Sequence, residues 1–242
     1  MHPEGIGAPV LRREDRRFLT GRGQYVADLS LQDELHCAFA DRVGPMTPLW
    51  RIPGVAGSTM NEPPRWALSR GTARHVGETV AMVVANTRNQ ALDAAEKVLV
   101  DWEPLPAVVD VRDAAAEGAP QLHPEAPGNT VVRFERGTKA PVDEAFARAT
   151  HRVAVDIVNH RIICAAMEPR AVIAQASATR GLDGHAVTIW SATQVPHHIR
   201  KFVAEQLELP ENAVRVIAPD VGGGFGTKGK HYPEEIILAW AA

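Results

Sequence analysis

Apolar and polar positions change period several times along the chain. Thr79-Val80-Ala81-Met82-Val83-Val84-Ala85 is a continuous apolar run of strand length. A helix is predicted directly after it, with Thr87 as N-cap, Gln90 three residues on, and Ala91, Leu92, Ala94, Ala95, Val98 and Leu99 as its apolar face. Val98 to Trp102 reads as the next strand, closed by Glu103-Pro104-Leu105-Pro106. Upstream, strands are predicted at 24–29 and 35–39. The Pro- and Gly-punctuated stretch from Asp41 to Arg70 shows no period and reads as irregular, with Trp50 and Trp66 expected to pin it by burying aromatic area. Downstream, a short helix at 141–149 with Pro141 at its first position precedes strands at 151–158, 171–176 and 186–191. Ile199, Phe202, Val203 and Leu207 then recur at helical spacing from Pro196, stopped by Leu209-Pro210. A strand at 213–218 and a helix from Glu234 to Ala242 complete the pattern.

Composition changes this picture mainly by exclusion. With 242 residues and 45% apolar content the chain can bury a sizeable core. A net charge of −3, with no Lys/Arg cluster longer than Arg12-Arg13 or Arg16-Arg17, gives no nucleic-acid footprint. Cys37 and Cys164 lie far apart without C-x-x-C spacing, so neither a disulfide framework nor a zinc or iron–sulfur site is written here. The first residues lack an apolar leader and no run approaches membrane-spanning length, so the expectation is a cytoplasmic chain with no membrane span. Residues 118–140, rich in Gly, Pro, Ala and Glu, read as a linker.

The chemistry concentrates in Asp220-Val221-Gly222-Gly223-Gly224-Phe225-Gly226-Thr227-Lys228, which follows the strand at 213–218. Glycines leave backbone N–H groups unshielded by any Cβ, so an anionic ligand can reach the main chain. The plainer alternative is a tight turn or bulge. A P-loop is excluded, because Thr227-Lys228-Gly229 puts Thr in its Gly place and Gly in its Ser/Thr place. The dinucleotide fingerprint is weak, because Thr227 stands where its last Gly or Ala belongs. His197 and His198 are adjacent, point about 100° apart on a helix and cannot share a metal. Glu234 and Glu235 open the last helix, where its dipole favours acidic side chains.

Four motifs together resemble the molybdopterin-binding large subunit of the molybdenum hydroxylases, the family of aldehyde oxidases, xanthine dehydrogenases and aerobic carbon monoxide dehydrogenases. They are Ile6-Gly7-Ala8-Pro9 through Leu19-Thr20-Gly21-Arg22-Gly23-Gln24-Tyr25-Val26-Ala27-Asp28; His75-Val76-Gly77-Glu78-Thr79-Val80-Ala81 with Asp101-Trp102-Glu103-Pro104-Leu105-Pro106; Met167-Glu168-Pro169-Arg170; and Trp190-Ser191-Ala192-Thr193-Gln194 through the glycine loop. The likeness leans towards the carbon monoxide dehydrogenase-like branch. It implies an α+β fold: an arm at 1–20, an α/β hammerhead-like domain at 21–117, and, after the linker, the first part of a molybdopterin-binding domain at 141–242.

The resemblance further implies a molybdenum–molybdopterin cofactor, with a cytosine dinucleotide form among those it admits. FAD and 2Fe-2S clusters would belong to partner chains, an FAD-binding medium subunit and an iron–sulfur small subunit, and the substrate would be a small molecule. By the same resemblance Gln194 donates a hydrogen bond to an oxo ligand of the metal, and Gly223, Gly224, Phe225 and Gly226 present backbone N–H groups to the cofactor. The alternative for Gln194 is a cap on the helix that begins at Pro196. Met167-Glu168-Pro169-Arg170 is read as structural, with Glu168 and Arg170 forming an internal pair.

The pattern departs from the family in three places. Relatives of this type run far beyond this length, so the catalytic glutamate is expected on a further portion supplying the C-terminal half, and neither a catalytic residue nor a protein metal ligand is assigned here. The region after Phe39 is shortened. Gly229 stands where the xanthine-oxidising branch has an acidic residue, which argues against purine hydroxylation. The readings are therefore part of a working hydroxylase, a non-catalytic remnant of such a subunit, or a phosphate- or nucleotide-binding module using the glycine loop alone.

Overall fold

Whether an apolar run becomes a strand here depends on whether another strand lies alongside. A computed structural model describes residues 22, 24, 26, 36–39, 45–48, 50–160, 162–177 and 184–242. The expected arm at 1–20 and the strand at 24–29 lie outside the described residues, Gln24 and Val26 excepted. The chain divides into two units, Leu35–Cys164 on one hand and Ala165–Ala242 with Met1–Glu34 on the other.

In the first unit, β1 (His36–Phe39) pairs antiparallel with β4 (Met82–Ala85), placing His36 opposite Ala85 and Phe39 opposite Met82. Two short strands, β2 (Pro45–Met46) and β3 (Arg65–Trp66), pair within the stretch expected to be irregular. Trp66 stacks beneath the Arg70 guanidinium at 3.8 Å, whereas Trp50 is 72% exposed and pins nothing. Helix α1 (Arg88–Ala95) starts where the sequence places it: Thr87 holds extended backbone angles and its hydroxyl accepts the Gln90 N–H at 3.2 Å. Val98 to Trp102 and residues 151–158 are not strands. Both carry β-branched and aromatic residues, but among the described residues no neighbouring strand supplies hydrogen-bond partners, and Leu99, Val153 and Ile157 stand exposed. After the short α2 (Val111–Ala114), α3 (Lys139–Arg148) begins two residues ahead of Pro141.

The second unit is built on a three-stranded sheet in the order β5 (Val172–Ala176), β6 (Val187–Ser191), β7 (Val214–Ile217). β5 and β6 are antiparallel and β6 and β7 parallel, with Val187 opposite Val214 and Trp190 opposite Ile217. A parallel pair needs a crossover, and α4 (Pro196–Gln206) is that crossover. Its apolar spacing buries Ile199, Phe202, Val203 and Ala204, and β6 alternates with Val187, Ile189 and Ser191 buried. The last helix, α5 (Pro233–Ala241), buries Ile236, Ile237 and Ala239 and packs on β5, β6 and α4. Each fully buried Ile or Val contributes about 1.5–3 kcal/mol relative to exposure. No helix among the described residues is long and apolar enough to cross a membrane.

Candidate functional site

β6 and β7 run parallel, so the turn that leaves β6 and the glycine loop that leaves β7 emerge at the same end of the sheet. They are joined there. The Gln194 N–H donates to the Lys228 carbonyl at 2.9 Å, and the Thr193 hydroxyl donates to the same oxygen at 3.3 Å. At the start of the loop, the Gln24 N–H donates to the Asp220 carboxylate at 2.7 Å and the Asp220 N–H returns a bond to the Gln24 carbonyl at 2.9 Å.

Within the loop the chain turns twice, with Thr227 N–H donating to Gly224 at 2.9 Å and Gly229 N–H to Gly226 at 3.1 Å. Phe225 is held at φ 49°, a left-handed value that an aromatic residue adopts only when its surroundings impose it. Gly224 is required by closeness rather than by dihedral angle: a Cβ there would lie 2.3 Å from the Gln194 side-chain oxygen. The Gln194 side chain therefore lies directly against the Gly224 backbone. It caps nothing, because Val195 is the N-cap of α4 and no side chain caps it, while the Val195 N–H is taken by the Thr193 hydroxyl at 3.0 Å.

Beneath the loop sits a buried ion pair that the sequence does not announce. The Lys228 ammonium, with its side chain 1% exposed, donates to Glu168 Oε2 at 2.6 Å, and the same oxygen accepts the Gly222 N–H at 2.7 Å. The Glu168 N–H in turn donates to the Gly222 carbonyl at 3.3 Å. Glu168 and Arg170 are thus not partners. Arg170 makes a two-pronged pair with Glu234 at 3.1 and 2.7 Å and lies over the Tyr232 ring at 3.7 Å. Burial alone would lower the Arg170 guanidinium, but the Glu234 bonds and the charge of Glu235 hold it above its ordinary value. Competition for the carboxylate decides the pairing: Lys228 is almost fully enclosed and Arg170 is 30% exposed, so the cation that water cannot reach takes Glu168.

Two further groups connect the loop to α5. The Tyr232 hydroxyl donates to the Thr227 carbonyl, and Glu235 accepts the Tyr232 N–H at 2.8 Å and the Ser191 hydroxyl at 3.2 Å. Burial pushes the Glu235 carboxyl up to about 7, opposed by the Tyr232 amide and assisted by the charge of Glu234. Among the described residues no group of three or more His, Cys, Asp or Glu side chains gathers that could hold a metal ion. Nor does any protein acceptor among them take the Gly223, Gly224 or Gly226 amide. Those amides and the neutral Gln194 carboxamide, on a stretch where Gln194, Phe225 and Gly226 are exposed, offer a surface with hydrogen-bond donors and without a net-charged protein ligand. Such a surface fits an anionic cofactor that brings its own metal. The sequence pattern brings Gln194, Gly223, Gly224, Phe225 and Gly226 together; it names Glu168 within a short motif but gives it the wrong partner, and the lysine directly after the glycine loop is the only signal for Lys228.

The molybdopterin cofactor-binding domain model matches residues 122–242, and the aldehyde oxidase and xanthine dehydrogenase a/b hammerhead domain model matches residues 50–106. The nicotine 6-hydroxylase large subunit of Paenarthrobacter nicotinovorans is 32% identical, the alignment covering 98% of this chain and 32% of that protein. The carbon monoxide dehydrogenase large chain of Afipia carboxidovorans is 32% identical over 93% of this chain and 32% of its own length. Quinoline 2-oxidoreductase from Pseudomonas putida 86 superposes with a TM-score of 0.78 at 34% identity, covering 98% of this chain and 33% of that one. The chain spans about a third of the length of these relatives.

Proposed function

This chain belongs to the molybdenum hydroxylase family, with the mixed α+β fold of its molybdopterin-binding large subunits, and on that premise we propose that it forms the cofactor-holding part of an oxidoreductase active site. The bound molybdenum cofactor supplies oxygen-atom and electron-transfer chemistry for hydroxylating an aldehyde, an N-heterocycle or a similar small substrate with water-derived oxygen, or for oxidising carbon monoxide. The chain's own contribution is binding and orientation. Gln194 donates its carboxamide N–H to the cofactor, and the amides of Gly223, Gly224, Phe225 and Gly226 hold its anionic groups. Gly229 disfavours a purine substrate. The partners are a flavin-binding subunit, an iron–sulfur subunit and the remaining large-subunit portion, in the cytoplasm. The domain division proposed is a hammerhead at 21–117, a linker at 118–140 and the cofactor-binding part at 141–242. A cytosine dinucleotide form of the pterin is among those this family likeness admits.

One observation carries this reading: the Gln194 side chain is packed against Gly224 so closely that a Cβ there would lie 2.3 Å from its carboxamide oxygen, so the bare backbone at 224 sets where the carboxamide stands. Gly224→Ala tests it. The atom a new Cβ would meet is the end of a flexible side chain, so the fold survives and Gln194 swings away. Molybdenum and released pterin are measured in the complex purified with its partner subunits. Near-stoichiometric cofactor in the wild type, falling about tenfold or more in the variant, is expected for the loss of preorganised donors. A folded wild-type complex that retains neither metal nor pterin overturns the proposal and favours a non-catalytic remnant.

A further inference from the structure

We infer that Glu168 and Lys228 are positioning residues that close the glycine loop into a ring and set the place of Gln194, and that Lys228 is not an anion-binding cation. A lysine at the end of a glycine loop ordinarily reaches into the ligand site as a point charge. Here its side chain is 1% exposed and its ammonium donates to Glu168 Oε2 inside the protein. The charge is spent inside.

The ring is traced by three bonds. Gly222 enters the loop and gives its N–H to Glu168 Oε2 at 2.7 Å, while its carbonyl accepts the Glu168 N–H at 3.3 Å. Lys228 leaves the loop and gives its ammonium to that same Oε2 at 2.6 Å. One carboxylate oxygen therefore ties the first glycine to the last residue, and the segment Gly223–Thr227 is held at both ends. From Lys228 the constraint passes on, because its carbonyl fixes the backbone of Gln194 at 2.9 Å and the Thr193 hydroxyl at 3.3 Å. The second carboxylate oxygen, Glu168 Oε1, is buried and has no hydrogen-bond partner. Oε2 must carry the whole interaction, so among the described residues no other cation stands in for Lys228.

What the loop holds rests on the reading above, but the ring itself is tested without any cofactor, by hydrogen exchange on the cofactor-free 242-residue chain. Removing one charge leaves the other buried, so Lys228→Met loosens both loop ends, and exchange across 192–195 and 220–229 rises by about tenfold or more while the β6–β7 pairing stays protected. Because that variant risks misfolding, Glu168→Met/Lys228→Met removes both charges and gives the same loosening confined to the loop. The exchanged pair, Glu168→Lys/Lys228→Glu, separates positioning from simple charge balance. Lysine at 168 cannot accept the Gly222 N–H, so the loop stays loose although the charges again match. Glu168→Gln keeps an acceptor and preserves more loop protection than the methionine variants. Loop protection equal to wild type in the double methionine or the exchanged variant overturns the inference, as does exchange that rises equally everywhere.

Discussion

The two units of the chain use similar residues with opposite results. In the unit that carries the glycine loop, Ile189, Val203 and Ile236 are fully or almost fully buried by strands and helices of the same unit. In the unit Leu35–Cys164, Leu99, Val109, Ile157 and Ile163 are 84% or more exposed. The difference is pairing, not propensity. Val187 to Ser191 has β5 on one side and β7 on the other, whereas residues 151–158 have the same β-branched character and no neighbour among the described residues. An apolar sequence thus specifies the wish for a partner, and only the topology specifies whether one arrives.

The largest effect that sharpens this contrast is core truncation. Ile189→Ala should destabilise its unit by about 2–5 kcal/mol, and Leu99→Ala by less than about 0.5 kcal/mol, by chemical denaturation. Equal losses would mean that Leu99 is covered in solution and the comparison fails. The next effect is electrostatic. Glu235 titrates near its ordinary 4.5 when unfolded and at about 7 when folded, so the folded state binds the extra proton between those values. Stability contributed by the protonated carboxyl is therefore present at low pH and lost as pH rises from about 4.5 towards 7, on the order of 3 kcal/mol. Glu235→Gln retains an acceptor for the Tyr232 N–H and should flatten that slope; parallel wild-type and variant denaturation midpoints from pH 5 to 8 would refute it. The smallest effect lies in the other unit: Thr87→Ala should cost about 1 kcal/mol, read as faster exchange along α1. Unchanged exchange there would mean the cap contributes nothing.

Local signals were legible where they are self-contained. The Thr87 cap, the apolar face of α4 and the strand preceding the glycine loop all depend on residues within a turn or two of one another. The hydroxyl-to-amide bond of Thr87 and the enclosure of Ile199 and Val203 follow directly. Legibility ended where partners are remote. Glu168 and Arg170 share a short motif, yet one is claimed by Lys228 and the other by Glu234. Nothing in their spacing could show which cation would be the more deeply enclosed. The Trp50 expectation failed similarly, because aromatic area predicts burial only where a surface is offered.

The contact between Gln194 and Gly224 also limits how such a protein can change over generations. A methyl group arriving at 224 while glutamine remains at 194 displaces the carboxamide, and the damage falls on function while the fold is spared. The reverse order, a shorter side chain at 194 first, gives up the carboxamide at once and only then opens room for alanine at 224 without a clash. The two positions form one heritable unit, and a library that varies either alone misses the changes that only the pair can accommodate.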